Sequence, residues 1–232
     1  MDGQHLYAIL SLAFGLGMLH ALDADHIMAV SGLASTRPTF ANCLRFCAKW
    51  AMGHGLTLFV IGFAVFVLGY AIPEELSRIS EHMVGVLLIF IGAWVLWDIH
   101  RQRSHFHFHQ HDNLPQHAHW HRHKQAQKHN EKAHKHEHSA VMVGILHGAA
   151  GSAPLLAIIP LSQYSSPLYT LLYLILFALG VLVSMLIFGG VLSGIYTCLA
   201  KKGKSLILGL RFSIGCSALI MGSVLLYSGL TG

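Results

Sequence analysis

An apolar run over residues 6–33 carries four ionisable side chains near its centre: His20, Asp23, Asp25 and His26. The run is long enough to cross a bilayer, where an ionisable group is costly unless it has a partner. On a continuous helix, His20, Asp23 and His26 would lie within about 120° of arc, and Asp25 would point elsewhere unless the helix is broken there. This donor set favours a divalent transition metal such as Ni²⁺, Co²⁺ or Zn²⁺ over a polar packing cluster or a proton-relay pair.

The composition places the chain among helical membrane proteins. Of its 232 residues, 54% are hydrophobic and 11% are charged, and the mean hydropathy is +0.55. A soluble protein of this length would be about one-quarter charged. The net charge of +5 does not indicate nucleic acid as a partner, because the basic residues are spread over loops and the membrane topology explains them better. The lipid bilayer is the expected surrounding.

The hydropathy pattern predicts an all-α, polytopic protein with six transmembrane helices. The first and fifth apolar runs are long enough to be tilted, kinked or broken, and both are rich in glycine. We expect the spans at residues 6–33, 47–72, 82–99, 140–161, 167–199 and 206–230.

The distribution of lysine and arginine predicts the orientation in the membrane. The loops between spans 1 and 2, 3 and 4, and 5 and 6 hold 14 of the 15 basic side chains, and Arg78 alone lies on the other side. Cytoplasmic loops carry an excess of basic residues. These three loops are therefore expected in the cytoplasm, with both termini outside.

The two halves of the chain share a pattern. Residues 17–21 (Gly-Met-Leu-His-Ala) match residues 144–148 (Gly-Ile-Leu-His-Gly) at an offset of 127. Two glycine pairs match at an offset of 130: Gly85 with Gly215, and Gly92 with Gly222. Three spans are an odd number, so a second copy would be inverted, as in many secondary transporters. The predicted division is a first three-helix repeat (1–99), a cytoplasmic loop (100–139) and a second repeat (140–232).

Two further histidines lie within predicted spans, away from the span ends. His54 is flanked by Gly53 and Gly55, and small residues and a proline follow His147. Each alone would be explained by an interhelical hydrogen bond. Together with the first cluster they favour a metal site, because no basic residue is placed to neutralise the aspartates and a cation is the natural missing partner.

The loop between spans 3 and 4 is different in kind. Residues 100–138 hold 13 of the 19 histidines and lack an apolar period that could form a core, so disorder is expected. A dense histidine tract would bind divalent metals with modest, pH-dependent affinity, and could buffer, sense or transfer them. The alternative is a solvated basic linker.

Two motifs in the first half carry a resemblance to a known family. The sequence His-Ala-Leu-Asp-Ala-Asp-His-Ile at residues 20–27 resembles the signature of the nickel/cobalt transporter (NiCoT, or NicO) superfamily. Arg37-Pro38, followed by Met52-Gly53-His54-Gly55, resembles the second motif of that family. The later segment at residues 147–153 (His-Gly-Ala-Ala-Gly-Ser-Ala) departs from the Phe-Asp-Thr-Ala-Thr-Glu motif of eight-span members and is closer to the six-span UreH-like branch.

The resemblance implies that His20, Asp25 and His26 are essential metal-site residues and that His54 contributes. The helical geometry adds Asp23 to this set of candidate ligands. The histidine of the fourth predicted span, His147, is added as well. The expected function is secondary transport of Ni²⁺, with Co²⁺ as a second candidate cargo, across the cytoplasmic (inner) membrane. No resident cofactor and no enzymatic reaction are expected, and a cytoplasmic nickel-accepting protein is a candidate partner.

Uptake is the favoured direction, and three alternatives stay open. An exporter would use the histidine-rich loop as a collector, and a membrane-anchored chaperone or sensor would use that loop as its binding element. A membrane metalloenzyme is disfavoured because the sequence offers no separate nucleophile or acid–base pair.

Overall fold

A computed structural model describes residues 3–35, 39–70, 74–103, 137–150 and 167–231 of the chain. Within these ranges every regular element is an α-helix. In chain order the helices are α1 (Gly3–His20), α2 (Ala24–Ala34), α3 (Phe40–Phe66), α4 (Glu74–Arg103), α5 (Glu137–Ala149), α6 (Pro167–Lys202) and α7 (Lys204–Thr231).

Four of the helices are long and apolar enough to cross a membrane: α3, α4, α6 and α7. The pair α1 and α2 passes the same test jointly, bent by 55° at a short break, and makes a fifth candidate span. Large apolar side chains such as Phe90, Leu56 and Ile187 lie on the outside of the bundle, where a lipid-facing surface requires them. A multi-pass helical membrane protein is therefore confirmed.

The predicted span boundaries differ from the helix ends. Helix α3 begins at Phe40 rather than near residue 47, and α4 extends over Glu74–Arg103 rather than 82–99. The added turns carry charged residues such as Arg45 and Glu75, because a helix can continue past the hydrocarbon layer into water. Of the predicted fourth span, α5 covers the part up to Ala149, and residues 151–161 lie outside the described ranges.

Helices α4 and α7 pack in antiparallel orientation through opposed glycines. A Cβ atom at Gly92 would lie 2.7 Å from the carbonyl oxygen of Gly215, and one at Gly222 would lie 2.6 Å from that of Gly85. These distances exclude any side chain, so the two backbones touch. Small residues allow this approach where lipid provides no hydrophobic driving force between helices.

A second glycine contact joins α1 to α6. A Cβ atom at Gly17 would overlap the carbonyl group of Phe177, and one at Gly180 would overlap that of Phe14. Both positions therefore require glycine. The contact holds the last turn of α1, which ends at His20, directly against the middle of α6.

The same kind of contact joins α3 to α5. A Cβ atom at Gly144 would overlap the carbonyl group of Trp50, and one at Gly53 would overlap that of Val141. The backbones of the two helices are again in direct contact. This contact brings His54 of α3 and His147 of α5 into facing turns.

Candidate metal centre

The centre is built around the break between α1 and α2. Helix α1 ends at His20, and α2 begins at Ala24 with Asp23 as its N-cap residue. The Asp23 side chain makes no capping hydrogen bond; its Oδ2 atom lies 2.7 Å from Nδ1 of His20 instead. Asp25 occupies the first turn of α2, where a carboxylate is favoured by the helix dipole. On a continuous helix Asp25 would point away from the other polar residues, and a break at this point allows it to turn toward them.

Four histidines from four helices meet beside this break: His20, His26, His54 and His147. None is more than 3% exposed. The ring of His26 lies 4.7 Å from that of His20, 5.1 Å from that of His54 and 5.3 Å from that of His147, between centroids. One ring nitrogen from each of His20, His26 and His54 falls within a set whose members are all within 4.8 Å of one another. His147 lies outside this tightest set.

Two of the rings are oriented by backbone hydrogen bonds. His26 Nδ1–H donates to the carbonyl oxygen of His20 at 3.0 Å, and His147 Nδ1–H donates to that of Val143 at 2.8 Å. A carbonyl oxygen only accepts, so each Nδ1 carries a proton, and Nε2 of the neutral ring presents a lone pair. This is the arrangement that histidine metal ligands commonly show.

Within the part of the chain that the structure describes, several other ring nitrogens of the cluster have no hydrogen-bond partner. Nε2 of His147 and both nitrogens of His54 are buried without one. Nε2 of His20 is likewise without one, whereas its Nδ1 faces Oδ2 of Asp23 at 2.7 Å. Buried polar atoms are rarely left unsatisfied. Several such atoms converging on one point indicate a site for a ligand that they would share.

The two carboxylates form a more open part of the centre. Oδ2 of Asp25 lies 3.6 Å from Nε2 of His26, and Asp23, Asp25 and His26 form a second set of donors within 4.8 Å. The side chains of Asp23 and Asp25 are 45% and 23% exposed, against 2% for His26. When the His26 ring is neutral, its Nε2 and the carboxylate are two acceptors facing each other, and a metal cation or a proton between them would make the contact favourable.

Two aromatic residues that the sequence analysis did not single out complete the walls. The indole of Trp50 stacks on His54 with centroids 4.9 Å apart and planes 15° apart, and the ring of Phe177 lies 5.6 Å from that of His20. Trp50 precedes His54 by one helical turn, so the spacing could have indicated that the two side chains lie on the same face of α3. In an apolar span, however, an aromatic residue is indistinguishable from ordinary core.

All six predicted site residues thus lie in one region: His20, Asp23, Asp25, His26, His54 and His147. The rings and carboxylates come from four helices, and His26 belongs to both donor sets. Of the histidine-rich tract, His100 lies in α4, and residues 104–136 fall outside the described ranges. Its predicted metal binding stays a prediction.

Comparison with known proteins gives two matches. The family model described as "Cytochrome C biogenesis protein transmembrane region" matches residues 26–218. The urease accessory protein UreH of Bacillus sp. (strain TB-90) is 28% identical over 202 residues, which cover 87% of this chain and 83% of UreH. No solved structure matches the chain significantly. The UreH-like part of the resemblance is thereby supported, and by the family match the chain belongs to the family of the cytochrome C biogenesis protein transmembrane region.

Proposed function

We propose that this protein is a secondary transporter that moves Ni²⁺ across the cytoplasmic membrane in the direction of uptake, with Co²⁺ as a second cargo. The observation that carries the proposal is that His26 belongs to two sets of metal donors, one with His20 and His54 and one with Asp23 and Asp25, inside a cluster of buried histidines. A divalent cation would bind between Nε2 of His26 and Oδ2 of Asp25, which lie 3.6 Å apart. Similarity to a urease accessory protein supports a urease-related nickel transport or accessory role.

The donor set fits a borderline divalent ion. Four imidazoles and two carboxylates converge, with no thiol among the six residues. Imidazole suits Zn²⁺, Cu²⁺ and Ni²⁺, and oxygen donors complete a higher coordination number without selecting a soft ion. The two aspartates would balance the charge of one divalent ion, which lowers the cost of holding it within a membrane span. The six ligands of the proposal are His20, Asp23, Asp25, His26, His54 and His147.

The proposal includes a 3+3 inverted repeat. Gly17 contacts the carbonyl of Phe177. When 127 is added to the first number and subtracted from the second, the pair becomes Gly144 and Trp50, which make the same contact. The rings follow the same rule: His20 lies 5.6 Å from Phe177, and His147 lies 5.7 Å from Trp50. A site between two such repeats would be reached from either side of the membrane by relative movement of the halves.

The orientation belongs to the same proposal. The lysine and arginine distribution predicts that the histidine-rich loop lies in the cytoplasm and both termini lie outside. In that position the loop would receive or buffer the ion after passage and pass it to a nickel-accepting protein. Transport rather than catalysis is proposed, since the described residues of the centre offer metal ligands and no separate nucleophile.

The test is the metal content of whole cells by mass spectrometry, across Ni, Co, Zn, Cu, Mn and Fe. Cells would express the wild type, His26→Ala, or His82→Ala as a control. His82 is a suitable control because it lies on α4 and bonds to the carbonyl of Arg78 within its own helix. We expect nickel to rise with the wild type and His82→Ala but not with His26→Ala.

Two other outcomes would replace the proposal. Nickel below the empty-vector level, restored by His26→Ala, would make the protein an exporter that uses the same site. No change in any of the six metals would rule out transport and favour a membrane-anchored chaperone or sensor.

A further inference from the structure

We propose that Trp50 is a positioning residue that fixes the imidazole of His54, and that it thereby sets the preference of the centre for Ni²⁺ over Zn²⁺. This inference rests on the proposed function, because it concerns the same centre. Neither the nickel/cobalt transporter motifs nor the comparisons assign a role to Trp50.

The first step is the contact of Trp50 with the cluster. Its indole is stacked on His54 and also lies 4.9 Å from the ring of His26 and 5.7 Å from that of His147. It thus contacts three of the four histidine rings. Phe177, its counterpart in the other half, contacts His20. Trp50 is fully buried, so the indole is held in place by the bundle.

The second step is the absence, among the described residues, of a hydrogen bond that orients His54. Its other ring contacts are with His20 and His26, at 5.2 and 5.1 Å between centroids. His26 and His147 are each oriented by a hydrogen bond to a backbone carbonyl. Neither nitrogen of His54 has such a bond to any residue that the structure describes. The near-parallel stacking on the indole, with planes 15° apart, is therefore the contact that we expect to define the plane of this ring, and it leaves both nitrogens available to an ion. The backbone of Trp50 is itself fixed by the direct contact with Gly144.

The third step connects ring orientation to the choice of ion. Affinities of a given site follow the Irving–Williams order, so selectivity has to come from geometry. Zn²⁺ has no geometric preference from its d electrons and tolerates a relaxed set of donors. Ni²⁺ in nitrogen and oxygen sites favours defined tetragonal geometry. If the imidazole of His54 were free to rotate, Ni²⁺ binding would therefore be weakened more than Zn²⁺ binding.

The experiment measures thermal unfolding of the purified full-length protein in detergent, titrated with NiCl₂ or ZnCl₂. A ligand that binds the folded state alone raises the midpoint, whereas metal that binds equally to the folded and unfolded states does not. The readout thus reports the buried centre despite the histidine-rich loop. The variants are Trp50→Leu, Trp50→Phe, His54→Ala and the double variant Trp50→Leu/His54→Ala. Trp97→Leu is the matched control, since Trp97 is exposed on α4.

For Trp50→Leu we expect the apparent Ni²⁺ affinity to fall about 10- to 100-fold, as is typical when a group that orients a metal ligand is removed. The Zn²⁺ affinity falls less. Trp50→Phe keeps a flat ring and stays close to the wild type, as does Trp97→Leu. Because Trp50 acts through His54, adding Trp50→Leu to His54→Ala has no further effect on either affinity.

Equal Ni²⁺ affinity in the wild type and Trp50→Leu would overturn the inference, and so would an equal loss for both metals or additive effects in the double variant. If Trp50→Leu does not fold, Trp50→Met takes its place, because methionine fills irregular space without a planar ring. A wild type that binds neither metal at the centre would instead contradict the proposed function itself.

Discussion

The interface between α4 and α7 and the histidine centre each contain a polar pair with one buried member, and the two pairs differ in completeness. Arg211 donates from its NH2 nitrogen to Oδ2 of Asp98 at 2.6 Å, so donor and acceptor match. Asp25 and His26 instead face each other at 3.6 Å, beyond hydrogen-bond distance. The first pair is complete without a ligand, and the second needs a metal cation or a proton to complete it. Polar groups within a helical bundle therefore indicate a binding site only when their partners are missing.

The largest effect is expected at the glycine contact beside the complete pair. Gly92→Leu forces α4 and α7 apart, because backbone and Leu219 atoms of α7 lie within 3 Å of the position that a Cβ would take. Overpacking costs about 3 kcal/mol or more where the neighbours cannot move. We expect loss of the monodisperse peak in size-exclusion chromatography of detergent extracts.

Gly194→Leu is the control for that change, since a Cβ at Gly194 meets nothing within 4 Å. It should elute as the wild type does. If the two variants behave alike, direct contact of the backbones is not what holds α4 and α7 together.

A smaller, metal-independent effect is expected from Asp98→Asn. The amide keeps the shape of the side chain but removes the charge that Arg211 faces, which costs about 2 kcal/mol. The thermal midpoint should fall equally with and without NiCl₂. Glu81→Gln, an exposed acid on the same helix, should leave the midpoint unchanged. A fall that Ni²⁺ reverses would place Asp98 in the centre and remove the distinction between the two regions.

The smallest effect has the opposite sign. His54→Leu replaces a buried ring whose nitrogens have no partner among the residues that the structure describes, so the metal-free protein should gain about 1 kcal/mol in the free energy of unfolding. The same variant should lose the stabilisation that Ni²⁺ gives the wild type. Thermal unfolding with and without the metal measures both. A loss of stability in the metal-free protein would show that His54 has a structural role and that this region resembles the α4–α7 interface.

How much of this could be predicted depends on the range of the interactions. The apolar runs and the ionisable residues within them are local features, so the membrane class and the six candidate ligands followed from the sequence. Asp98 and Arg211 are 113 positions apart in the sequence, so no local sequence pattern predicts that they pair. The role of Trp50 depends on which helices surround it. Helix ends such as Phe40 were misplaced because hydropathy marks the hydrocarbon layer rather than the end of a helix.

The carbonyl oxygen of His20 helps to orient the centre through two hydrogen bonds. It accepts from the backbone N–H of Asp23 at 3.1 Å and from Nδ1–H of His26 at 3.0 Å, which its two lone pairs permit. The main chain of one candidate ligand thus orients the side chain of another. Every amino acid supplies this oxygen, so no substitution at position 20 deletes it. Alanine scanning would therefore identify the side chains of the centre but not the main-chain oxygen that orients His26.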